Sequence, residues 1–397
     1  MRSLNLIIAA DILFFVLGGL TTLLLWLLNR GWWRLRLWRA TVLTTPVAGI
    51  LGAAIWALGA RLGLPFLEWA GALITPTAFI LEISLLLSLL LSGILNSIVR
   101  IIDIAKRWIA RNKERFSPSR RRFSGALAAV FPATLLPAGV GGVTGSFAGI
   151  TVPVRHIPVS KLPAALEGFK IAHLSDMHLG YYVQLDDLRE AIDAIIPYRP
   201  DLVLVTGDIS DDLDILPEAL SIINRLTPQY GIFASVGNHE YYRGIARVLE
   251  IFQTAPFPLL VNESIRLDIR GMPVVIGGAD DPVYLRRDNA EFLRNTIDNA
   301  IGSAPAEALR LLMCHRPEGF NHSAEIGLDL VLAGHTHGGQ IGISGRSLFE
   351  GVLPDKYLWG LYRRGNTTLF TSGGMGHWLP FRLGCPAEAP ILVLERG

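Results

Sequence analysis

Cysteine is scarce. The 397 residues carry two, Cys314 and Cys385, with no C-x-x-C spacing, which leaves neither a disulfide framework nor a thiolate zinc site to build on. Net charge is scarce too. The 36 Lys and Arg against 34 Asp and Glu leave a formal +2, which gives no electrostatic footprint for nucleic acid, and no such partner is expected. Charge of either sign is almost missing from long stretches of the first 150 residues, whereas from about residue 155 the charge content is that of a soluble globular domain. The length allows more than one domain, and this asymmetry divides the chain into two kinds of protein.

Apolar runs fill the first part. Residues 4–28 form one that is too long for the hydrophobic core of a signal peptide and lacks a small-residue cleavage site. With the runs at 40–60, 71–99 and 125–150 it makes about four expected transmembrane helices. The third continues as a helix toward Arg111, and the fourth carries Pro132 and Pro137, which spanning helices tolerate better than soluble ones. Asp11 and Glu82 fall inside these spans. Asp11 is expected near the outer end of its helix, and Glu82 protonated or bonded to a neighbouring helix. Trp32, Trp33 and Trp38 fit an interfacial aromatic belt.

Orientation follows from the short loops. The first connection carries Arg30, Arg34, Arg36 and Arg39, and the third carries Arg100, Lys106, Arg107, Arg111, Lys113, Arg115, Arg120, Arg121 and Arg122. The second has Arg61 alone. Both basic loops are therefore expected in the cytoplasm. With four spans the rest of the chain lies on the outer face, the periplasm of a double-membrane cell; without the fourth it is cytoplasmic. The expected domains are a transmembrane helical domain over 1–150, a linker over 151–166 and a soluble domain over 167–397.

In the soluble part, short apolar strands alternate with amphipathic helices, and each strand runs into polar residues. Ile171–Ser175 leads to Asp176-Met177-His178. Asp201–Thr206 leads to Gly207-Asp208, and Gly231–Val236 to Gly237-Asn238-His239-Glu240. Leu309–Met313 leads to Cys314-His315, and Leu328–Leu332 to Gly334-His335-Thr336-His337-Gly338-Gly339-Gln340. Side chains at i and i+2 of an extended segment point the same way, so His335 and His337 can reach one metal centre or two adjacent ones. Ligands of α/β folds bind beyond the C-terminal ends of the strands, and here five strand ends in succession deliver Asp, Asn or His.

These blocks, D-x-H, G-D, G-N-H-[DE], H and G-H-x-H in order, resemble the calcineurin-like metallophosphoesterases over roughly Lys170 to Glu395. The A-G-H-T-H-G-G-Q form and the ending Leu379-Pro380-Phe381-Arg382-Leu383-Gly384-Cys385-Pro386 look like that family's membrane-attached bacterial branch. The resemblance implies a four-layer α/β/β/α sandwich behind the helical bundle and two divalent ions per chain. Asp176, His178 and His337 would hold one ion, Asn238, His315 and His335 the other, and Asp208 would bridge them. Carboxylate, amide-oxygen and imidazole donors suit manganese, iron or zinc. Two such ions clamp a phosphoryl group and sharpen a bridging water into hydroxide. His239 is implied to contact the phosphate with Asn238 and to protonate the leaving alkoxide. Glu240 either orients His239 or caps the next helix. His377, in a late glycine-rich loop, and Arg382 are further expected substrate contacts, while His156, His173 and His322 are structural or surface groups.

The function expected is a membrane-anchored dimetal phosphoesterase of the phosphodiesterase or pyrophosphatase type, facing the lipid bilayer of a bacterial inner membrane. Its substrate is a phosphorylated small molecule or a lipid-linked phosphate. One alternative is a cytoplasm-facing pyrophosphatase of a nucleotide-linked acylated sugar in lipid A synthesis. Another, of a different class, is a transporter or sensor with a metal- or ligand-binding soluble module.

Overall fold

The structure is a computed structural model that describes residues 2–110, 118–283 and 289–397. Arg111, Lys113 and Arg115 of the third basic loop lie outside the described residues. The chain forms two compact units, one of Met1–Thr144 with Leu379–Phe381 and one of Gly145–Trp378 with Arg382–Gly397.

The first unit is helical: α1 (Arg2–Leu27), a short α2 (Arg30–Trp33), α3 (Arg36–Leu62), α4 (Pro65–Ala110) and α5 (Pro118–Ser146). Among the described residues four segments are long and apolar enough to cross a membrane, Ile7–Leu27, Arg36–Leu62, Pro65–Lys106 and Gly125–Ser146. Lipid offers no hydrophobic gain for helix association, so close approach of small residues and buried polar bonds take over. A Cβ on Gly59 would collide with the backbone of Glu68, and one on Gly71 with the backbone of Trp56, so α3 and α4 touch main chain to main chain. Gly63 ends α3 in the left-handed region, at φ 63°, a conformation glycine adopts without steric cost. Glu82 is fully buried and bonded to α1, its Oε1 2.7 Å from Thr21 Oγ1. Asn29 Nδ2 donates to Leu89 O at 2.8 Å, and Asn96 Nδ2 to Asn29 Oδ1 at 3.2 Å. Trp32 and Trp38 stack with centroids 4.9 Å apart.

The second unit begins with a strand inside the expected linker. It runs β1 (Val154–Val159), β2 (Lys170–Leu174), α6 (Leu185–Ile195), β3 (Leu202–Thr206), α7 (Leu216–Asn224), β4 (Ile232–Ser235), α8 (Asn238–Arg243), α9 (Ile245–Phe252), β5 (Leu259–Leu260), β6 (Glu263–Ile269) and β7 (Met272–Gly278). It continues as α10 (Asn289–Ile297), β8 (Leu309–Met313), α11 (Phe320–Glu325), β9 (Leu330–Ala333), β10 (Gly342–Ile343), β11 (Arg346–Ser347), β12 (Gly360–Arg364), β13 (Thr367–Thr371) and β14 (Ile391–Arg396). One six-stranded sheet has the order β1-β14-β2-β3-β4-β5, the other β12-β13-β9-β8-β7-β6, and β10 and β11 form a hairpin.

Alternation along the strands builds the layers, because successive side chains point to opposite faces. Ile171, Leu202, Leu204, Leu311, Met313, Leu330 and Leu332 form the core between the sheets. Their neighbours Ala172, Val203 and Val205 face Leu188, Ile192, Leu216 and Leu220 of α6 and α7. On the other sheet Leu312, Val331 and Ala333 face Leu293 and Ile297 of α10 and Phe320 of α11. The result is the expected α/β/β/α order of layers. Strands β2, β3 and β4 are mutually parallel, as are β7, β8 and β9, so each sheet presents the C-terminal ends of three neighbouring strands together.

Candidate metal centre

Five strand ends supply the cluster. Asp176 and His178 follow β2, Asp208 follows β3, Asn238 and His239 open α8 after β4, His315 follows β8, and His335 and His337 follow β9. Five of these residues have left-handed backbones: Asp176 (φ 51°), His178 (47°), Asp208 (51°), His335 (67°) and His337 (49°). Non-glycine residues rarely hold such angles, and strain of this kind gathers at functional sites. Backbone bonds hold the strained turns in place. The His335 N–H donates to Asp176 Oδ1 at 2.9 Å and the His239 N–H to Asp208 Oδ1 at 2.8 Å. Glu240 accepts from the N–H groups of Gly237 (2.7 Å), Asp208 (2.9 Å) and Ile209 (2.8 Å). Of the two roles open to it, Glu240 therefore caps α8, and it also ties that helix to the Asp208 turn.

The donor atoms fall into overlapping triples, each within 4.8 Å: Asp176 with His178 and His337, His178 with Asp208 and His239, and Asp208 with His315 and His335. Asp208 Oδ2 stands 3.7 Å from His178 Nε2 and 3.2 Å from His315 Nε2, between the two sides. His337 Nε2 is 3.6 Å from Asp176 Oδ1 and 3.2 Å from His178 Nε2. These groups are almost fully buried. The His315 Nδ1–H donates to Thr206 O at 3.0 Å, which leaves Nε2 as the inward lone pair. That Nε2 and Asn238 Oδ1 are buried without a hydrogen-bond partner. Buried polar atoms are rarely left so, and a divalent cation fits them: oxygen and imidazole donors, a carboxylate between two sets, and orphaned lone pairs aimed inward.

The electrostatics agree with a cluster short of positive charge. Burial alone would push the Asp208 carboxyl up, but His315, His178 and His239 hold it well below the usual carboxylate range. Burial lowers His315, yet Asp208 and Asp176 carry it up to about 10, so a proton takes the Nε2 lone pair when no ion does. His335 and His337 are pushed far down by burial and then by the cations His315 and His178 respectively, so both stay neutral.

Around this core lie residues that the sequence blocks did not single out. Asp211 accepts from His178 Nδ1 (3.3 Å) through Oδ2 and from His239 Nδ1 (2.5 Å) and Arg243 Nε (3.1 Å) through Oδ1. The only sequence signal for it was its place three residues after Asp208. Arg316, directly after His315, is buried, clamped by Asp281 at 2.9 and 3.2 Å, and places Nη1 3.0 Å from His335 Nε2. His377 is buried with neither ring nitrogen hydrogen-bonded, its ring 5.6 Å from Tyr182 and 5.9 Å from Phe147. Burial, then Arg382 and His178, lower it to about 3. The Nη atoms of Arg382 reach the carbonyls of Cys385 (3.2 Å), Gly374 (3.1 Å) and Gly376 (2.6 Å), and His337 Nδ1 at 3.5 Å. His156 pairs with Glu395, His322 with Asp298, and His173 with Thr206, and none of the three joins a donor triple.

Residues 169–339 match the family profile described as calcineurin-like phosphoesterase. An uncharacterized metallophosphoesterase of Helicobacter pylori (strain J99) is 33% identical over 63% of this chain and 66% of its own, just under two thirds of its length. A like-named protein of Aquifex aeolicus is 32% identical over 60% of this chain and 89% of its own. A transmembrane protein with metallophosphoesterase domain from Bos taurus is 27% identical over 62% of this chain and 57% of its own.

Proposed function

This chain belongs to the calcineurin-like phosphoesterase family, and from that membership and the donor set we propose that it is a membrane-anchored, metal-dependent phosphoesterase of the phosphodiesterase or pyrophosphatase type. The observation that carries the reading is the convergence of the five strand ends around Asp208, with Asn238 Oδ1 and His315 Nε2 buried and unpartnered on one side of it. Asp176, His178 and His337 would hold one ion, Asn238, His315 and His335 the other, with Asp208 between. Manganese, iron and zinc are the ions this mixed set suits. When bound, the pair supplies Lewis-acid polarisation of the phosphoryl oxygens and a water of lowered pKa.

The chain's own residues do the rest. His239 is locked by Asp211 at Nδ1, so its Nε2 is the edge left to face substrate and to hand a proton to the leaving oxygen. Asn238, next to His239, completes the phosphoryl contact. His377, with two unpartnered nitrogens, is assigned to the substrate side, whereas Arg382, whose Nη groups carbonyls already occupy, holds the 374–376 loop. Four apolar helices and the two basic loops support an outer-face position of the second unit at a bacterial inner membrane. An envelope or lipid-linked phosphoester is then the substrate class within reach.

The test is hydrolysis of a generic aryl phosphodiester by the whole chain in detergent with manganese. Turnover is expected to exceed that of Asp208→Asn and His239→Ala by at least about a hundredfold; equal rates would refute the reading. A reporter fused after Gly397 that is active only in the cytoplasm would reverse the orientation and favour the nucleotide-linked substrate.

A further inference from the structure

The second unit concentrates exposed apolar side chains in one place. Ile343 (64% exposed), Leu348 (55%) and Val352 (78%) are joined by exposed Phe349 and Leu353 within eleven residues. Soluble surfaces usually scatter such residues singly, and a contiguous patch marks an interaction surface. The stretch is fastened to the turn that carries His335 and His337. A Cβ on Gly339 would meet the Phe349 ring and the Ser347 hydroxyl. The Leu348 N–H donates to Ile341 O at 2.9 Å, the Gly342 N–H to Leu383 O at 2.9 Å and the Leu383 N–H to Gln340 O at 2.8 Å. The charges nearest in sequence are Arg346, paired with Glu350 at 3.3 Å, Lys356, paired with Glu318 at 2.7 Å, and Asp355.

The occupant has to be apolar, tolerant of charge at its edge and always within reach. A bilayer meets all three conditions, because four helices of this same chain are built to cross one, and aliphatic and aromatic side chains with basic neighbours suit the boundary between headgroups and acyl chains. We infer that Ile343–Leu353 is a lipid-contacting rim that dips into the bilayer surface beside the metal-ligand turn, so that the phosphoester reaching the site is a lipid headgroup drawn from the membrane. The substrate clause rests on the phosphoesterase reading; the lipid contact does not.

The experiment uses the whole chain in nanodiscs containing phosphatidylglycerol, with a nitroxide on Val352→Cys or, as a reference, on Leu249→Cys, an exposed site on α9. Cys314 and Cys385 are buried and stay unlabelled. The label at 352 is expected to collide with oxygen far more than with a water-soluble nickel chelate, and the label at 249 to do the reverse. In parallel, Val352→Asp should lower turnover of a bilayer-embedded phosphodiester at least about tenfold while leaving a water-soluble aryl phosphodiester unchanged. Equal nickel access at the two sites would overturn the inference. So would a 352 label hidden from both reagents and broadened by a neighbouring spin, which would show a second copy on this face. A lipid-immersed label on a protein that hydrolyses neither substrate would uphold the rim and refute the phosphoesterase reading instead.

Discussion

Asp211 stands outside the three donor triples yet bonds two histidines within them. It fixes His178 and His239 through separate oxygens, so Asp211→Asn, which keeps the shape and removes the charge, should lower kcat about 10- to 100-fold with KM little changed. Asp211→Glu should recover part of the loss; steady-state kinetics on an aryl phosphodiester reads both. His173 gives a different prediction. It is fully buried, and burial depresses its pKa to about 3 in the folded chain, against about 6.5 when unfolded. The unfolded chain therefore binds a proton that the folded chain refuses. The stability tied to His173 is complete above pH 6.5 and is lost as pH falls toward 3. Replacing it with Gln should flatten the acid side of the melting-temperature profile, a difference on the order of 2 kcal/mol by pH 5.

At the scale of elements, the strands were legible because two periodic faces are both buried. Leu202 and Leu204 point to one core and Val203 and Val205 to the other, which is why a near-continuous apolar run precedes each site residue. Leu204→Ala should cost about 2–5 kcal/mol, measured as a fall in the denaturation midpoint of the second unit. The same logic failed for β1, whose Val154–Val159 carries mixed polarity at a sheet edge and reads as a linker. It failed again for Leu379–Phe381, three residues grouped with the helical unit, since nothing so short carries a period. In the helical unit, Gly71→Leu would push a side chain into the backbone of Trp56. That variant should lose most of its folded yield in detergent, whereas Gly19→Leu, with open space around its Cβ position, should not.

For the molecule as a whole, the ligand blocks could be read because each residue type announces its own chemistry at a strand end. Asp211, Arg316 and Asp281 could not, because their roles exist only once distant loops meet. The left-handed backbones at Asp176, His178, Asp208, His335 and His337 were equally hidden. Together with the buried, crowded carboxylates they make the site costly to hold without cations, so metal binding and folding are linked. Stripping metal with a chelator should lower the melting temperature of the second unit on the order of 10 °C, with recovery on adding manganese. Finally, β14 is the last strand in the chain yet lies between β1 and β2. Until Ile391–Arg396 is in place, the sheet carrying Asp176 and Asp208 lacks the strand that joins β1 to β2. Losing Ile391–Arg396 should therefore detach β1 and bare the β2 edge together, which makes this late strand as necessary as one from the middle of the unit.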